Sequence, residues 1–175
     1  MRIEPLFTEA EIEARIRELS SRIYRDYADS PLTILCIAEG AIRFVDALAA
    51  AIEARGLESE RLTVRARRTE QTALRPVQVD AFDAESLDDR DVLVVDDIAD
   101  EGSTLRAVIE LISLAEPRSV RTAVLVDKRE NRTEALDLDY VGFEIESGWV
   151  IGYGMDVEGE YRDLDWIGVL RDDRF

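Results

Sequence analysis

Residues 92–105 read VLVVDDIADEGSTL, and no other stretch limits the possible folds as sharply. The apolar run Val92–Val95 is short and has no polar alternation, the pattern of a strand covered on both faces. It runs straight into Asp96 and Asp97, and Asp100 and Glu101 follow. The small-residue loop Gly102–Ser103–Thr104 then leads into apolar residues at helical spacing: Leu105, Val108, Ile109 and Ile112. In an open α/β sheet, ligands sit outside the carboxyl ends of the strands. The carboxylates therefore fall where a site belongs.

The same alternation recurs along the chain. Thr8 and Glu11 fit a capping box ahead of Ile12, Ile16, Leu19 and Ile23, which predicts a first helix. Leu32–Ala38 reads as a buried strand. Gly40 opens a helix carrying Phe44, Leu48 and Ile52 and ending near Gly56. Residues 61–66 and 119–128 predict two more strands. Residues 67–90 are polar and contain Pro76, which predicts a flexible excursion with a short hairpin arm. The tail reads as short strands and turns. The fold class is α/β, a parallel sheet flanked by helices, with residues 1–175 forming one domain.

Composition narrows the chemistry. The net charge is −17, from 39 acidic against 22 basic side chains, the opposite of what neutralising phosphates in DNA or RNA requires. No nucleic-acid partner is expected. Adaptation to high salt would give a similar surplus. Histidine is absent, which excludes Ser-His-Asp catalysis and His-ligated zinc. The single cysteine, Cys36, cannot form an intrachain disulfide and reads as a small apolar residue in a strand. No apolar run is long enough for a membrane span, and the expected location is the cytoplasm. Lys128 is the only lysine among the 22 basic residues.

Gly102 can approach a ligand closely with positive φ. Ser103 and Thr104 bring hydroxyls to a helix N-terminus suited to phosphate. Asp96 and Asp97 would repel that phosphate, so hydroxyl groups or a divalent cation such as Mg²⁺ suit them better. A phosphorylated ribose carrying a polyphosphate would satisfy the whole segment. The alternative is that Asp97 and Asp100 only cap the next helix while Glu101 complements its dipole.

This segment resembles the phosphoribosyl-diphosphate signature of the type I phosphoribosyltransferases. ILCIAEGAIRFVDAL, VDKRE and DYVGFEIESGWVIGYGMDVEGEYRDL are similar to successive segments of hypoxanthine-guanine phosphoribosyltransferases, the bacterial branch in particular. The resemblance covers roughly residues 30–170 and implies that family's sheet, a small appended hood region and a flexible loop at about 67–78. It also implies transfer of ribose 5-phosphate from phosphoribosyl diphosphate to N9 of hypoxanthine or guanine, releasing pyrophosphate with Mg²⁺ present, in a homodimer or homotetramer.

By the same resemblance, Asp96 and Asp97 face the ribose hydroxyls and magnesium. Residues Asp100, Glu101, Gly102, Ser103 and Thr104 cradle the 5-phosphate. Asp100 lies near purine N7 as general base or acceptor, and Lys128 contacts the 6-oxo group. Trp149 stacks on the base and the backbone of Val150 reads its far edge. Asp156 holds a second magnesium through pyrophosphate, which Arg162 contacts. Glu39 and Gly40 fall on the pyrophosphate loop.

Two departures keep other readings open. RARRTEQTA lacks the tyrosine that the family's mobile loop usually carries, and Glu39 stands where many relatives place lysine or asparagine. A xanthine-preferring enzyme and a non-catalytic sensor of phosphoribosyl diphosphate or a nucleotide remain as alternatives.

Overall fold

The computed structural model describes residues 2–28, 30–68, 77–79, 84–133 and 135–171. Strand β1 (Arg2–Phe7) leads into helix α1 (Glu9–Tyr27), β2 (Leu32–Ala38), α2 (Ile42–Glu53), β3 (Ser59–Arg68) and β4 (Val77–Val79). After a 3-10 turn at Ala84–Leu87 come β5 (Asp91–Ala99), α3 (Ser103–Ser113), β6 (Ser119–Lys128), β7 (Tyr140–Ile145), β8 (Trp149–Ile151) and β9 (Ile167–Arg171).

The main sheet runs β4-β3-β2-β5-β6-β7. Its five strands from β3 to β7 are parallel, and β4 closes the edge antiparallel to β3. Because side chains alternate across a strand, β2 and β5 feed two cores. Ile34, Cys36, Leu93 and Val95 face α1 and α2, burying Ile12, Leu19, Phe44 and Leu48. Leu35, Ile37, Val92 and Val94 face α3 and its Leu105, Val108 and Ile112. Each fully buried aliphatic side chain contributes roughly 1.5–3 kcal/mol. The two layers hold β5 in the centre, with its carboxyl end open to the site.

The capping box at Thr8 is present: Thr8 Oγ1 accepts from the Glu11 N–H, and Glu11 accepts from the Thr8 N–H at 2.8 Å. Phe143 and Tyr153 are buried, and so is Cys36, whose thiol burial pushes up to about 12.

Two features differ from the sequence reading, and the hairpin arm agrees with it. The N-terminal residues form β1, which pairs antiparallel with β9, and β8 completes a second three-stranded sheet, the hood. Strand β5 continues through Asp96 and Asp97 to Ala99, because Ile98 and Ala99 still pair with Val126 and Asp127. Within the expected excursion, β3 and β4 form the hairpin arm through residues 66–68 and 77–79. Leu87 is fully buried and ties the segment before β5 to the core. Residues 69–76 of the expected flexible loop lie outside the described residues.

Candidate active site

The carboxyl end of β5 opens on a cleft of about 240 Å³ whose walls include Gly40, Asp96, Asp97, Asp100, Gly102 and Thr104. Asp96 is 7% exposed. Burial, reinforced by the neighbouring Asp97 charge, holds its carboxyl well above the usual carboxylate range, and burial raises Asp97 as well. Backbone N–H groups support both carboxylates, and the Asp96 side chain and the Arg162 charge partly offset the burial of Asp97. The Asp97 N–H donates to Asp96 Oδ1 at 3.0 Å and the Ile98 N–H to Asp97 Oδ1 at 2.9 Å. Among the described residues neither aspartate makes an ion pair. Taking a carboxylate out of water without a cation is costly, so this pair favours a positive group or hydroxyl donors in the cleft.

Gly40 packs directly on Asp97, and a Cβ there would lie 1.8 Å from Asp97 Oδ2. The Ala38–Glu39 peptide before it is cis. Gly102 has φ +90°, which only glycine adopts without strain, and it precedes α3 with no side-chain cap. Neither Asp97 nor Asp100 caps that helix. The capping alternative therefore fails, and Ser103 and Thr104 occupy the first turn beside the cleft.

Asp100 is joined to the end of β6. Its Oδ2 accepts from Lys128 Nζ at 3.1 Å and from Asn131 Nδ2 at 3.4 Å. Its Oδ1 is buried without a partner among the described residues, so an acceptor is held ready. The Lys128 side chain is only 6% exposed, which rules out a surface lysine. Glu130 lies 3.8 Å from the same ammonium and accepts the Gly148 N–H at 3.1 Å, tying the Lys128 strand end to the start of β8. There Trp149 is 64% exposed while Val150 is buried. Trp149 is thus no core aromatic, and its ring is open to a planar partner.

Asp156, Arg162 and Glu39 form a separate ion cluster. Arg162 lies 2.8 Å from Asp156 Oδ1 and 3.7 Å from Glu39 Oε2, and Arg65 reaches Glu39 at 4.0 Å. The Gly159 N–H donates to Asp156 Oδ2 at 2.7 Å and closes that turn. The cluster borders the cleft through Gly40, whose carbonyl contacts Gly154.

A sequence profile of the phosphoribosyl transferase domain matches residues 4–158. The chain belongs to the phosphoribosyltransferase family. Within that family it is 32% identical to the hypoxanthine-guanine phosphoribosyltransferase of Dictyostelium discoideum, over 97% of this chain and 96% of that protein. It is 33% identical to the hypoxanthine phosphoribosyltransferase of Escherichia coli K12, over 95% and 94%. The Trypanosoma cruzi hypoxanthine phosphoribosyltransferase solved with the product IMP superimposes with a TM-score of 0.90, at 32% identity, covering 98% of this chain and 95% of that one.

One set of residues at this phosphoribosyltransferase site escaped the sequence reading. Arg132 donates from Nε to the Asp100 carbonyl and from Nη2 to the Ala99 carbonyl, both at 2.7 Å, and pairs with buried Asp127. Nothing in residue type separates Arg132 from the other arginines. Its role is visible only when the β6 end and the loop after β5 meet.

Proposed function

We propose that the protein is a purine-salvage phosphoribosyltransferase that transfers ribose 5-phosphate from phosphoribosyl diphosphate to N9 of hypoxanthine or guanine. The products are IMP or GMP and pyrophosphate. Family membership supports the reaction class. The buried Lys128 ammonium, 3.1 Å from Asp100, carries the choice of base. A purine whose 6-oxo group accepts from Lys128 places N7 toward Asp100, whose Oδ1 awaits a donor. A 6-amino group would point a donor at a donor, and a buried unpaired polar group costs enough to discriminate strongly.

In the proposed reaction the C1–oxygen bond to pyrophosphate breaks and the electron pair leaves with the pyrophosphate. N9 bonds to C1 while Asp100 takes the proton released from N7. Asp96 and Asp97 bind the ribose hydroxyls and place negative charge near the developing cation. Glu101, Gly102, Ser103 and Thr104 hold the 5-phosphate at the start of α3. Trp149 stacks on the base and the Val150 backbone reads its edge. Glu39 and Gly40 border the pyrophosphate, and Arg162 turns from Asp156 toward it.

Magnesium fits this donor set. Two buried carboxylates with raised proton affinity lack a cation, and hard oxygen donors suit Mg²⁺. Among the described residues no three acidic, cysteine or histidine side chains group to hold a metal alone. Asp96, Asp97 and Asp156 would therefore share magnesium with substrate oxygens and water. Bound there, it would neutralise charge on the pyrophosphate.

We further propose that residues 1–175 act as one domain, that the enzyme works in the cytoplasm, and that it self-associates as a homodimer or homotetramer. No described helix is long and apolar enough to cross a membrane. Light scattering on the purified protein reads the oligomer.

The deciding experiment offers phosphoribosyl diphosphate and Mg²⁺ with hypoxanthine, guanine, xanthine and adenine in parallel, at low and molar salt. Nucleotide from hypoxanthine or guanine and none from adenine is expected. Preference for xanthine would move the assignment to a different 6-oxopurine. Silence with every base, from folded protein that binds phosphoribosyl diphosphate, would make it a sensor.

A further inference from the structure

Three successive carbonyls, of the last residue of β5 and the first two of the loop after it, are bound by two successive residues after β6. Arg132 Nη2 donates to the Ala99 carbonyl and Arg132 Nε to the Asp100 carbonyl, each at 2.7 Å. The Thr133 N–H donates to the Glu101 carbonyl at 3.2 Å, and Thr133 Oγ1 reaches the same oxygen at 3.4 Å. Arg132 Nη2 also reaches the Lys128 carbonyl at 3.2 Å. One guanidinium thus joins the loop that starts the phosphate site to the strand end that carries Lys128.

The consequence follows from peptide geometry. In a trans peptide the carbonyl and the following N–H point in opposite directions in one plane. With the carbonyls of Ala99, Asp100 and Glu101 turned toward Arg132 and Thr133, the N–H groups of Asp100, Glu101 and Gly102 point away from them. The cleft lies on that other side, since its walls include Asp100, Glu101 and Gly102 but neither Arg132 nor Thr133. Successive N–H groups facing one concavity make an anion cradle.

The guanidinium is itself well held. Its side chain is 17% exposed, and Asp127, whose side chain is 3% exposed, pairs with it. Arg129 contacts the other Asp127 oxygen at 2.8 Å from a far more exposed position and touches none of the loop carbonyls. Arginine's rigid fork suits this task, because its separate N–H groups meet several acceptors at once while a lysine ammonium cannot span them.

We propose that Arg132 is the positioning residue of the phosphate loop: by binding the Ala99 and Asp100 carbonyls, with Thr133 on that of Glu101, it turns the loop's N–H groups toward the cleft. The ligand class is a phosphate monoester, so the inference rests on the function proposed above while adding a residue to it. Arg132 touches no substrate. It acts through the orientation of the loop.

The test titrates inorganic phosphate into ¹⁵N-labelled protein and follows the amides of Asp100, Glu101 and Gly102, which requires no turnover. Arg132→Lys keeps the charge opposite Asp127 but loses the fork, Arg132→Met loses both, and Arg129→Gln removes only the other partner of Asp127. Both Arg132 variants are expected to raise the phosphate midpoint roughly tenfold or more, the scale of one or two lost charged hydrogen bonds. Arg129→Gln should leave it within about twofold, since exposed ion pairs contribute little. In turnover assays KM for phosphoribosyl diphosphate should rise with the phosphate midpoint, while KM for hypoxanthine moves less than about threefold, as expected for a loss confined to one ligand.

A folded Arg132→Lys with wild-type phosphate binding overturns the proposal. An equal loss in Arg129→Gln does so too, because the effect would then belong to the charge on Asp127. If Arg132→Met does not fold, the lysine variant decides. Phosphate binding without nucleotide formation in the wild type would remove the reaction and leave the positioning role. Nucleotide formation with phosphate binding unchanged in the Arg132 variants would do the reverse.

Discussion

At its N-terminal end β5 sets Asp91 among Arg118, which donates to one carboxylate oxygen, and Ser119, whose hydroxyl donates to the other at 2.6 Å. At its carboxyl end the same strand sets Asp96 beside Asp97 with no ion pair among the described residues. The proton affinities follow. Arg118's hydrogen bond, aided by Ser119 and opposed by burial, holds the Asp91 carboxyl below the ordinary range. Burial and Asp97 push Asp96 far above it. One end has its charge balanced by the fold, and the other has no ion pair to balance it among the described residues. A buried carboxylate is therefore informative chiefly through its partners.

The largest effect should come just beyond the ligand-facing end. Asp100→Asn keeps the shape and the contact distance to Lys128 but cannot accept the purine proton. A kcat loss of about 10²–10⁴-fold is expected, the range for a removed general base, with the unfolding midpoint lowered because the buried Lys128 ammonium loses its paired carboxylate. Steady-state kinetics beside thermal denaturation reads both. Retained kcat would remove Asp100 from the chemistry.

Asp96→Asn separates the two ends most directly. Replacing a buried carboxylate that makes no ion pair among the described residues should stabilise the metal-free protein by ~1 kcal/mol or more, the scale of relieving an uncompensated buried polar group. Affinity for phosphoribosyl diphosphate should fall at the same time. Urea denaturation in chelator and calorimetric titration test the pair of outcomes. A loss of stability would mean that Asp96 is structurally balanced after all.

Asp91→Asn should do the opposite, costing about 1 kcal/mol because half-exposed Arg118 is partly screened, and leaving KM values alone. The pH dependence has a definite sign. A carboxyl whose folded proton affinity is depressed adds stability above its unfolded pKa, and that stability disappears as pH falls through the lower folded value. Wild type and Asp91→Asn should therefore differ above about pH 4 and converge in stronger acid. Denaturation curves across that range show the crossover or its absence.

Much of this arrangement was legible in the chain. The capping box at Thr8, the unbroken apolar runs of β2 and β5 and the helical spacing of Leu105, Val108 and Ile112 act between near neighbours, and the structure retains each of them. The density of acids after Val95 likewise pointed to the end of β5 that opens on the cleft. Strand β1 was not legible: its residues are mostly exposed or half-buried, and its register depends on β9 at the far end of the chain, Arg2 opposite Arg171. The course of β5 through its aspartates was hidden for the same reason, because pairing with β6 rather than local propensity carries the strand to Ala99.

Local sequence determined the α/β alternation, the glycine ahead of α3 and the carboxylates that follow a buried strand, since these rest on side-chain periodicity and backbone freedom within a few residues. The tertiary structure decided which of those carboxylates carry a balanced charge. It paired Asp91 with Arg118, left Asp96 and Asp97 facing a cleft, buried Lys128 against Asp100 and set Arg132 behind the loop. Electrostatic and hydrogen-bond partners are fixed by distance in space, and only the folded sheet brings residues from different strands to within about 3 Å of one another.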